Sequence, residues 1–327
     1  MARKEGDTPG RAVSPPAAEA DGRRLAGLRR RLESRAVIAR EIRGFFEGEG
    51  FLEVETPIRI PSPAPEEHVD PEPSGERFLA ASPELQMKRL VASGAYPKIF
   101  QLSRCFRRGE RGALHLPEFT MLEWYRTGAG IADLMSDCES LTSCVAAAVG
   151  EFPRSRRRGG PIDLTPPWER LEVSDAFAAF AGWRPGGTPD AERFTRDLVD
   201  RIEPSLPRER PVFLVGYPAS MASLARLDPS NPERAERFEL YAGGMEVANG
   251  FAELTDSMEQ RARFDREAEV RRHRSAACPP LDEKFLAALG LDMPPCAGIA
   301  LGVDRLVMLL TDAESIDEVV AFPEGTT

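Results

Sequence analysis

Residues 98–126 read KIFQLSRCFRRGERGALHLPEFTMLEWYR, and their alternation decides the fold class. Successive side chains of a strand point to opposite faces. Gln101, Ser103, Cys105 and Arg107 therefore share one face of the first run, and Phe100, Leu102 and Phe106 share the other. The run from Glu118 to Arg126 likewise groups Phe119, Met121, Glu123 and Tyr125. Two such runs predict an antiparallel pair. The link between them, RGERGALHLP, is longer than a tight turn, and loops of that size on a rigid sheet often carry function. The pattern also sets Glu123 among large apolar side chains. An unpaired buried carboxylate is costly, so a cationic partner, a neighbouring arginine for instance, or a bound ligand is expected beside it.

Upstream, Leu25, Leu28, Leu32, Ile38, Ile42, Phe45 and Phe46 recur at helical spacing, predicting an amphipathic helix over 24–49, broken at most once and stopped by Gly48 and Gly50. FLEVETP (51–57) follows as a strand ending at Pro57, then a Pro-rich loop over 61–73 and a helix within SPELQMKRLVASGA (82–95). Downstream the spacing predicts a helix over 130–149, a basic Pro-rich connection over 151–170, helical runs near 174–182 and 190–202, and the strand PVFLVGYP (211–218). A hairpin, RFELYAGGMEVANGFAEL (237–254), turns at Gly243-Gly244. A charged helix over 257–274 and the closing GIALGVDRLVMLLT (298–311) complete the chain, with no internal repeat. Residues 1–22 hold mostly Pro, Gly, Ala and charge, which predicts a flexible tail and leaves 23–327 as one domain.

At 327 residues, 42% hydrophobic and 29% charged, the chain can bury a full core without disulfides or a structural metal. Its net charge of −10 argues against a general nucleic-acid coat. Five cysteines with no C-x-x-C pair, and three histidines, predict a reducing compartment and no structural zinc. Neither a signal peptide nor a run of about 20 apolar residues is present, so a cytoplasmic protein without membrane attachment is expected. Arginines concentrate at 23, 24 and 29–31, and again at 154 and 156–158. Such clusters are first read as solvated faces, with docking of a protein partner as the rival.

Three residues of the hairpin, Glu246, Asn249 and Glu253, carry polar groups suited to chemistry. An odd separation turns Glu246 and Glu253 to opposite sides of a regular strand; a bulge at Asn249-Gly250 would bring them to one side. Two carboxylates and an amide suit a hard cation such as Mg²⁺, which is completed by water and substrate phosphates; surface carboxylates are the alternative. In the closing segment a strand runs into a helix, where Asp304 is expected to cap and Arg305 to reach an anion. The alternative for Arg305 is a surface arginine or a partner for Glu123. No P-loop pattern occurs.

Together and in this order, the segments resemble the signature motifs of class II aminoacyl-tRNA synthetases. GFLEVETP (50–57) is similar to motif 1, FRRGE with HLPEFTMLEWY (106–125) to motif 2, and GIALGVDRL (298–306) to motif 3. ASPELQMKRL (81–90), EFTMLEWY and EVANGFAEL resemble the lysyl branch, and the likeness spans roughly residues 35–323. It implies an α+β fold, an antiparallel sheet flanked by helices. About 30 residues precede the motif 1 helix, fewer than the ~50 of a small domain, so no anticodon-reading module is expected. A lysyl-type core standing alone resembles the elongation factor P lysine ligases. These join lysine, preferably (R)-β-lysine from a partner aminomutase, to a lysine side chain of elongation factor P.

Residue by residue, the resemblance implies that Arg107 holds the α-phosphate and substrate carboxylate, and that Arg305 holds the γ-phosphate, both as catalytic groups. Ser82, Glu84, Glu123, Tyr125, Asn249 and Glu253 form the amino-acid pocket, and Gly109, Glu110, His115, Glu246 and Gly302 join the two arginines around ATP. Glu246 and Glu253 match the carboxylates expected to carry Mg²⁺; separately, a strand ending at Pro57 behind an apolar helix suits a twofold contact, so a homodimer through motif 1 is expected. Two positions depart from the pattern: the motif 2 Arg-x-Glu is Arg107-Arg108-Gly109 with Glu110 one place later, and Leu116 stands where asparagine is common. Rival readings are a ligase with tRNA or ammonia as acceptor and a non-catalytic regulator.

Overall fold

The two alternating runs do pair antiparallel, with Gln101 opposite Glu123 and Phe100 opposite Trp124. They form part of an eight-stranded sheet in a computed structural model that describes residues 15–67, 69–274 and 276–326. Its strands are β1 (Leu52–Glu53), β2 (Lys98–Phe106), β3 (Glu118–Thr127), β4 (Glu169–Glu172), β5 (Val212–Val215), β6 (Arg237–Ala242), β7 (Met245–Ala252) and β8 (Cys296–Gly302). They lie in the order β1-β2-β3-β8-β7-β6-β5-β4. The six inner strands are antiparallel throughout, and β1 and β4 each add a parallel edge. The fold is therefore α+β, a largely antiparallel sheet flanked by helices.

The helices include α1 (Pro15–Gly27), α2 (Arg29–Gly48), α3 (Glu84–Ala92), α4 (Ile131–Ala148), α5 (Val173–Ala176), α6 (Ala191–Asp197), α7 (Ser257–His273), α8 (Glu283–Leu289) and α9 (Val303–Leu310). One sheet face is dry. Ile38, Ile42 and Phe46 of α2, Leu134 and Leu141 of α4 and the apolar stripe of α9 pack there on Phe100, Leu122, Trp124, Ile299 and Leu301. Phe46 lies stacked on Phe100 at 4.8 Å and against Trp124 at 5.1 Å. The other face keeps the polar side chains, with α3 and α8 closing one end over Ile99, Tyr125 and Cys296.

Several expectations change. The tail expected over 1–22 includes the first turns of α1, which begins at Pro15; residues 1–14 lie outside the described residues. The connection over 151–170 holds a hairpin, Arg154–Arg157 against Gly160–Asp163, turning at Arg158-Gly159 where both φ angles are positive. Its charge hides an alternation: Ser155 and Arg157 are buried, and Arg157 donates to the carbonyls of Gly243 (3.1 Å) and Ala313 (2.6 Å). In the N-terminal arginine cluster, Arg24, Arg29 and Arg31 are ion-paired within the chain to Asp21, Glu33 and Glu318.

Asp304 does not cap α9, whose N-cap is Gly302. It is buried and accepts from Arg35 Nη1 (2.5 Å) and Thr120 N (2.7 Å), joining α2, β3 and α9. Removing one member of such a pair leaves the other charge without its partner, at a cost of about 3–5 kcal/mol. Asp304→Ala is therefore expected to lower the melting temperature by roughly 6–15 °C in differential scanning calorimetry. A shift near that of an exposed substitution such as Arg30→Ala would show that the junction carries little of the stability.

Candidate active site

Cross-strand register collects the polar side chains into rows. Gln101, Glu123, Ala300, Asn249 and Glu239 stand opposite one another across β2, β3, β8, β7 and β6, and the next row is Ile99, Tyr125, Gly298, Phe251 and Arg237. Beyond Cys296 at its start, the central strand β8 contributes only Gly298, Ala300 and Gly302 to this face, so a trough runs along it. Its width is needed. A Cβ on Gly298 would lie 2.2 Å from Tyr125 Cε1 and 2.4 Å from Glu253 Oε1, because both side chains cross over the strand there.

A bulge makes the alignment possible, though not at Asn249-Gly250. Tyr241 faces Glu246 and Leu240 faces Ala248, so Val247 is the extra residue. Parity switches before Asn249, and Glu246, Asn249 and Phe251 all belong to the trough face, with Glu253 just beyond β7 crossing β8 on the same side. The switch does not bring Glu246 and Glu253 together. Seven residues of strand separate them by about 20 Å, and Glu253 is buried against a different cation.

That cation is Lys88, on α3 one turn after Glu84. It lies 2.5 Å from Glu84 Oε1 and is also ion-paired with Glu253. Burial alone would lower the Lys88 pKa, but Glu253 and Glu84 outweigh it and hold the ammonium charged. Glu123, 1% exposed, has no arginine partner among the described residues; it accepts from Ser82 Oγ (2.5 Å) and Tyr125 OH (3.0 Å). Burial, followed by Glu84, pushes its carboxyl up to about 8 despite those bonds. Burial also lifts Glu253 to about 8 against the pull of Lys88. Glu84, Glu123 and Glu253 against Lys88 give 1 − 3 = −2, so the enclosed group is short of two positive charges when all four are ionised.

Beyond this pocket a cavity of about 530 Å³ opens over β3, β7 and β8. Arg107, Gly109, Glu110, His115, Glu246, Asn249, Gly302 and Arg305 all line it. Asn249 Oδ1 accepts from Arg237 Nε at 3.3 Å. Arg107 Nε is buried and, among the described residues, without a hydrogen-bond partner, a donor left for an anion. The backbone turns back at Gly109 (φ +75°), where Glu110 N donates to Arg107 O (3.4 Å) and the Glu110 carboxylate comes 3.9 Å from the guanidinium. The glutamate one place late thus reaches the arginine after all, because glycine adopts the left-handed conformation without strain. Leu116 is buried in the core, with its edge on the cavity.

Arg305 donates to the Glu246 carbonyl (2.8 Å) and carboxylate (3.3 Å) and to His115 Nε2 (2.7 Å). Burial, then Arg305, lowers the His115 pKa, so the ring is neutral and accepts that bond. Behind Glu246 lie Glu239 and Glu203, residues the sequence reading passed over. Burial raises both, and each also feels Glu246 and so resists further negative charge. Among the described residues no three His, Cys, Asp or Glu side chains are close enough to cage a metal alone. A crowded carboxylate set beside a phosphate-sized cavity nevertheless suits a hard cation that takes its other ligands from phosphate and water. Glu246 lines that cavity with its carboxylate on Arg305, whereas Glu253 is held by Lys88 away from it. Lys88 was legible as an i,i+4 partner of Glu84; Arg237 and Glu239 were not, because only the bulge at Val247 turns them to the Asn249 side.

A family model described as "tRNA synthetases class II (D, K and N)" matches residues 21–326. The elongation factor P–(R)-β-lysine ligase of Proteus mirabilis is 40% identical over 313 residues, covering 89% of this chain and 94% of that protein. The proteins of the same name from Hamiltonella defensa and Klebsiella pneumoniae are 38% and 39% identical, with the same coverage of both chains. The chain belongs to the class II tRNA synthetase family.

A carboxyl that holds its proton more tightly folded than unfolded contributes stability at low pH, and that contribution is lost as pH rises through its folded pKa. The Glu123 window runs from the ordinary 4.5 to about 8. The ligand-free protein should therefore lose melting temperature from pH 5 to pH 8, roughly across that window. In Glu123→Gln the decline should be shallower, the remainder coming from Glu253. Equal slopes in thermal melts would show that Glu123 titrates normally.

Proposed function

We propose that this member of the class II synthetase family activates lysine or (R)-β-lysine with ATP and transfers it to a lysine side chain of elongation factor P. The observation that carries the reading is the charge of the enclosed pocket. Once ionised, three carboxylates around one ammonium leave −2, the complement of a substrate bearing two ammonium groups, whose arrival would draw off the protons that Glu123 and Glu253 hold. A substrate with one ammonium would leave a buried carboxylate unpaired. The name that the relatives share, elongation factor P–(R)-β-lysine ligase, supports the acceptor.

In this reading Ser82, Glu84, Glu123, Tyr125 and Glu253 take the two ammonium ends, while Asn249 and Arg107 orient the substrate carboxylate. That carboxylate attacks the α-phosphorus of ATP in line, pyrophosphate leaves, and an aminoacyl-adenylate forms. Arg107 brings its free Nε–H to the α-phosphate, and Arg305, steadied by neutral His115, meets the terminal phosphate. Gly109, Glu110 and Gly302 shape the nucleotide's surroundings. Glu246, backed by Glu239, would hold Mg²⁺, which supplies charge neutralisation on the phosphates. The protein's contribution is positioning and charge stabilisation.

The same reading makes the protein cytoplasmic, supplied with (R)-β-lysine by an aminomutase; among the described residues no helix is long and apolar enough to cross a membrane. It also makes it a homodimer. Leu52 and Ile58 are exposed beside the edge strand β1, which supports an isologous contact there. A non-catalytic regulator has no need of Arg107, Glu246 and Arg305 around one cavity, and their joint presence speaks against it.

Pyrophosphate exchange over an amino-acid panel should respond to lysine or β-lysine and not to monoamino acids, and intact mass should show elongation factor P gaining one lysyl group. Glu84→Ala or Glu123→Ala should cost on the order of 2–5 kcal/mol, about 30- to several thousand-fold in kcat/KM for exchange. Charging of tRNA in place of elongation factor P would overturn the acceptor. Sedimentation equilibrium should return twice the 36.0 kDa chain mass; a fully active monomer would remove the dimer.

A further inference from the structure

Glu66 lies in the Pro-rich segment that the sequence marks only as a loop, yet it lines the cavity together with Arg107 and Arg305. Its placement is built. Arg271 of α7, 1% exposed, donates to the carbonyls of Glu66 (2.6 Å), Val69 (2.9 Å) and Ala277 (2.7 Å) and to the Asp70 carboxylate (2.7 Å). On the other side of the segment, Arg108 N donates to Asp70 O at 2.8 Å, tying it to the turn that presents Arg107 and Glu110. A buried guanidinium spent on backbone carbonyls fixes a segment rather than a ligand, and what this segment offers the cavity is the Glu66 carboxylate. That carboxylate makes no hydrogen bond or ion pair among the described residues.

The two ammonium groups of the amino acid are already matched by the −2 pocket, and phosphates repel a carboxylate. Glu66 is therefore surplus to the activation step. What remains to enter is the second substrate, a lysine side chain that is protonated at neutral pH and must lose a proton to become a nucleophile. Resting on the function proposed above, we infer that Glu66 is the group that receives the acceptor's ε-ammonium and accepts its proton. The charged groups around it include Arg107, Glu84, Arg237, Glu110 and, from α7, Glu267, with Arg107 acting on it most strongly, so Glu66 stands close to the residue assigned to the reacting carboxyl. Burial raises its pKa despite Arg107, which makes it a better base than an exposed glutamate.

In the step itself one proton passes from the acceptor nitrogen to the Glu66 carboxylate. The freed amine attacks the carbonyl carbon of the mixed anhydride, forming the C–N bond. The bond from that carbon to the phosphate oxygen breaks and AMP leaves with its electron pair. A second proton leaves the nitrogen for water, giving the neutral amide.

The test is Glu66→Gln with enzyme-bound lysyl-adenylate in single turnover, chased by elongation factor P or by hydroxylamine. Hydroxylamine is a neutral nucleophile at neutral pH and needs no base. Transfer to elongation factor P should fall by about 10²- to 10⁴-fold, far more than any loss in pyrophosphate exchange or in hydroxamate formation, and Glu66→Asp should recover part of it. Transfer at the parent rate would overturn the inference. Parallel losses in exchange, hydroxamate and transfer would also overturn it, assigning Glu66 to activation or to structure. Failure of the parent itself to modify elongation factor P would strike the proposed function instead, a result that needs no variant.

Discussion

One buried ammonium, Lys88, organises the molecule's polar face. It sits where α3 meets the sheet, between a carboxylate of its own helix, Glu84, and one delivered by the strand hairpin, Glu253. A buried lysine without partners would shed its proton, and a buried glutamate would keep one. Holding all of them in one small volume leaves the pocket electrostatically unfinished, with Glu123 and Glu253 both raised to about 8. The diamino acid of the proposed function would complete it. In that reading part of the cost of burying charge is deferred from folding to binding, and the same deferral would disfavour any amino acid with an apolar side chain.

The sheet separates the two duties of the chain by parity. Odd and even positions of β3 and β8 go to different worlds: Leu122, Trp124, Ile299 and Leu301 to a dry core under α2, α4 and α9, and Glu123, Tyr125, Gly298 and Ala300 to the trough. Burying aromatic and aliphatic side chains on one face, at roughly 1.5–3 kcal/mol each, holds the other face rigid enough to carry clustered charge. The Arg35–Asp304–Thr120 junction and the Arg271 clamp do comparable work for α9 and for the segment around Glu66.

Alternation and turn residues made most of the architecture readable. The pairing of β2 with β3, the Gly243-Gly244 hairpin and the strand-to-helix junction at Gly302 follow from local pattern. What local pattern could not supply was partnership over long separations. Asp304 looks like a cap until Arg35 is seen beside it. The hairpin at 154–163 is masked by charge, the strand read over FLEVETP shrinks to Leu52–Glu53, and β4 is too short to announce itself. Arg107, Arg305 and Asn249 come to one cavity as the motifs implied, whereas Glu246 and Glu253 part, since strand length sets their distance whatever their parity. Glu66 gave no signal, being positioned by a residue 205 places away.

The extra residue at Val247 carries a constraint on how this chain can change over generations. Substitutions along β7 alter one side chain at a time and can be tolerated or repaired singly. Straightening the bulge with every residue kept, so that Leu240 paired with Val247, would rotate Asn249 and Phe251 into the aliphatic core while sending Ala248 and Gly250 to the trough. No single compensating replacement reverses that inversion. The bulge is therefore an inherited register, held by the whole ladder rather than by any one of the letters it contains.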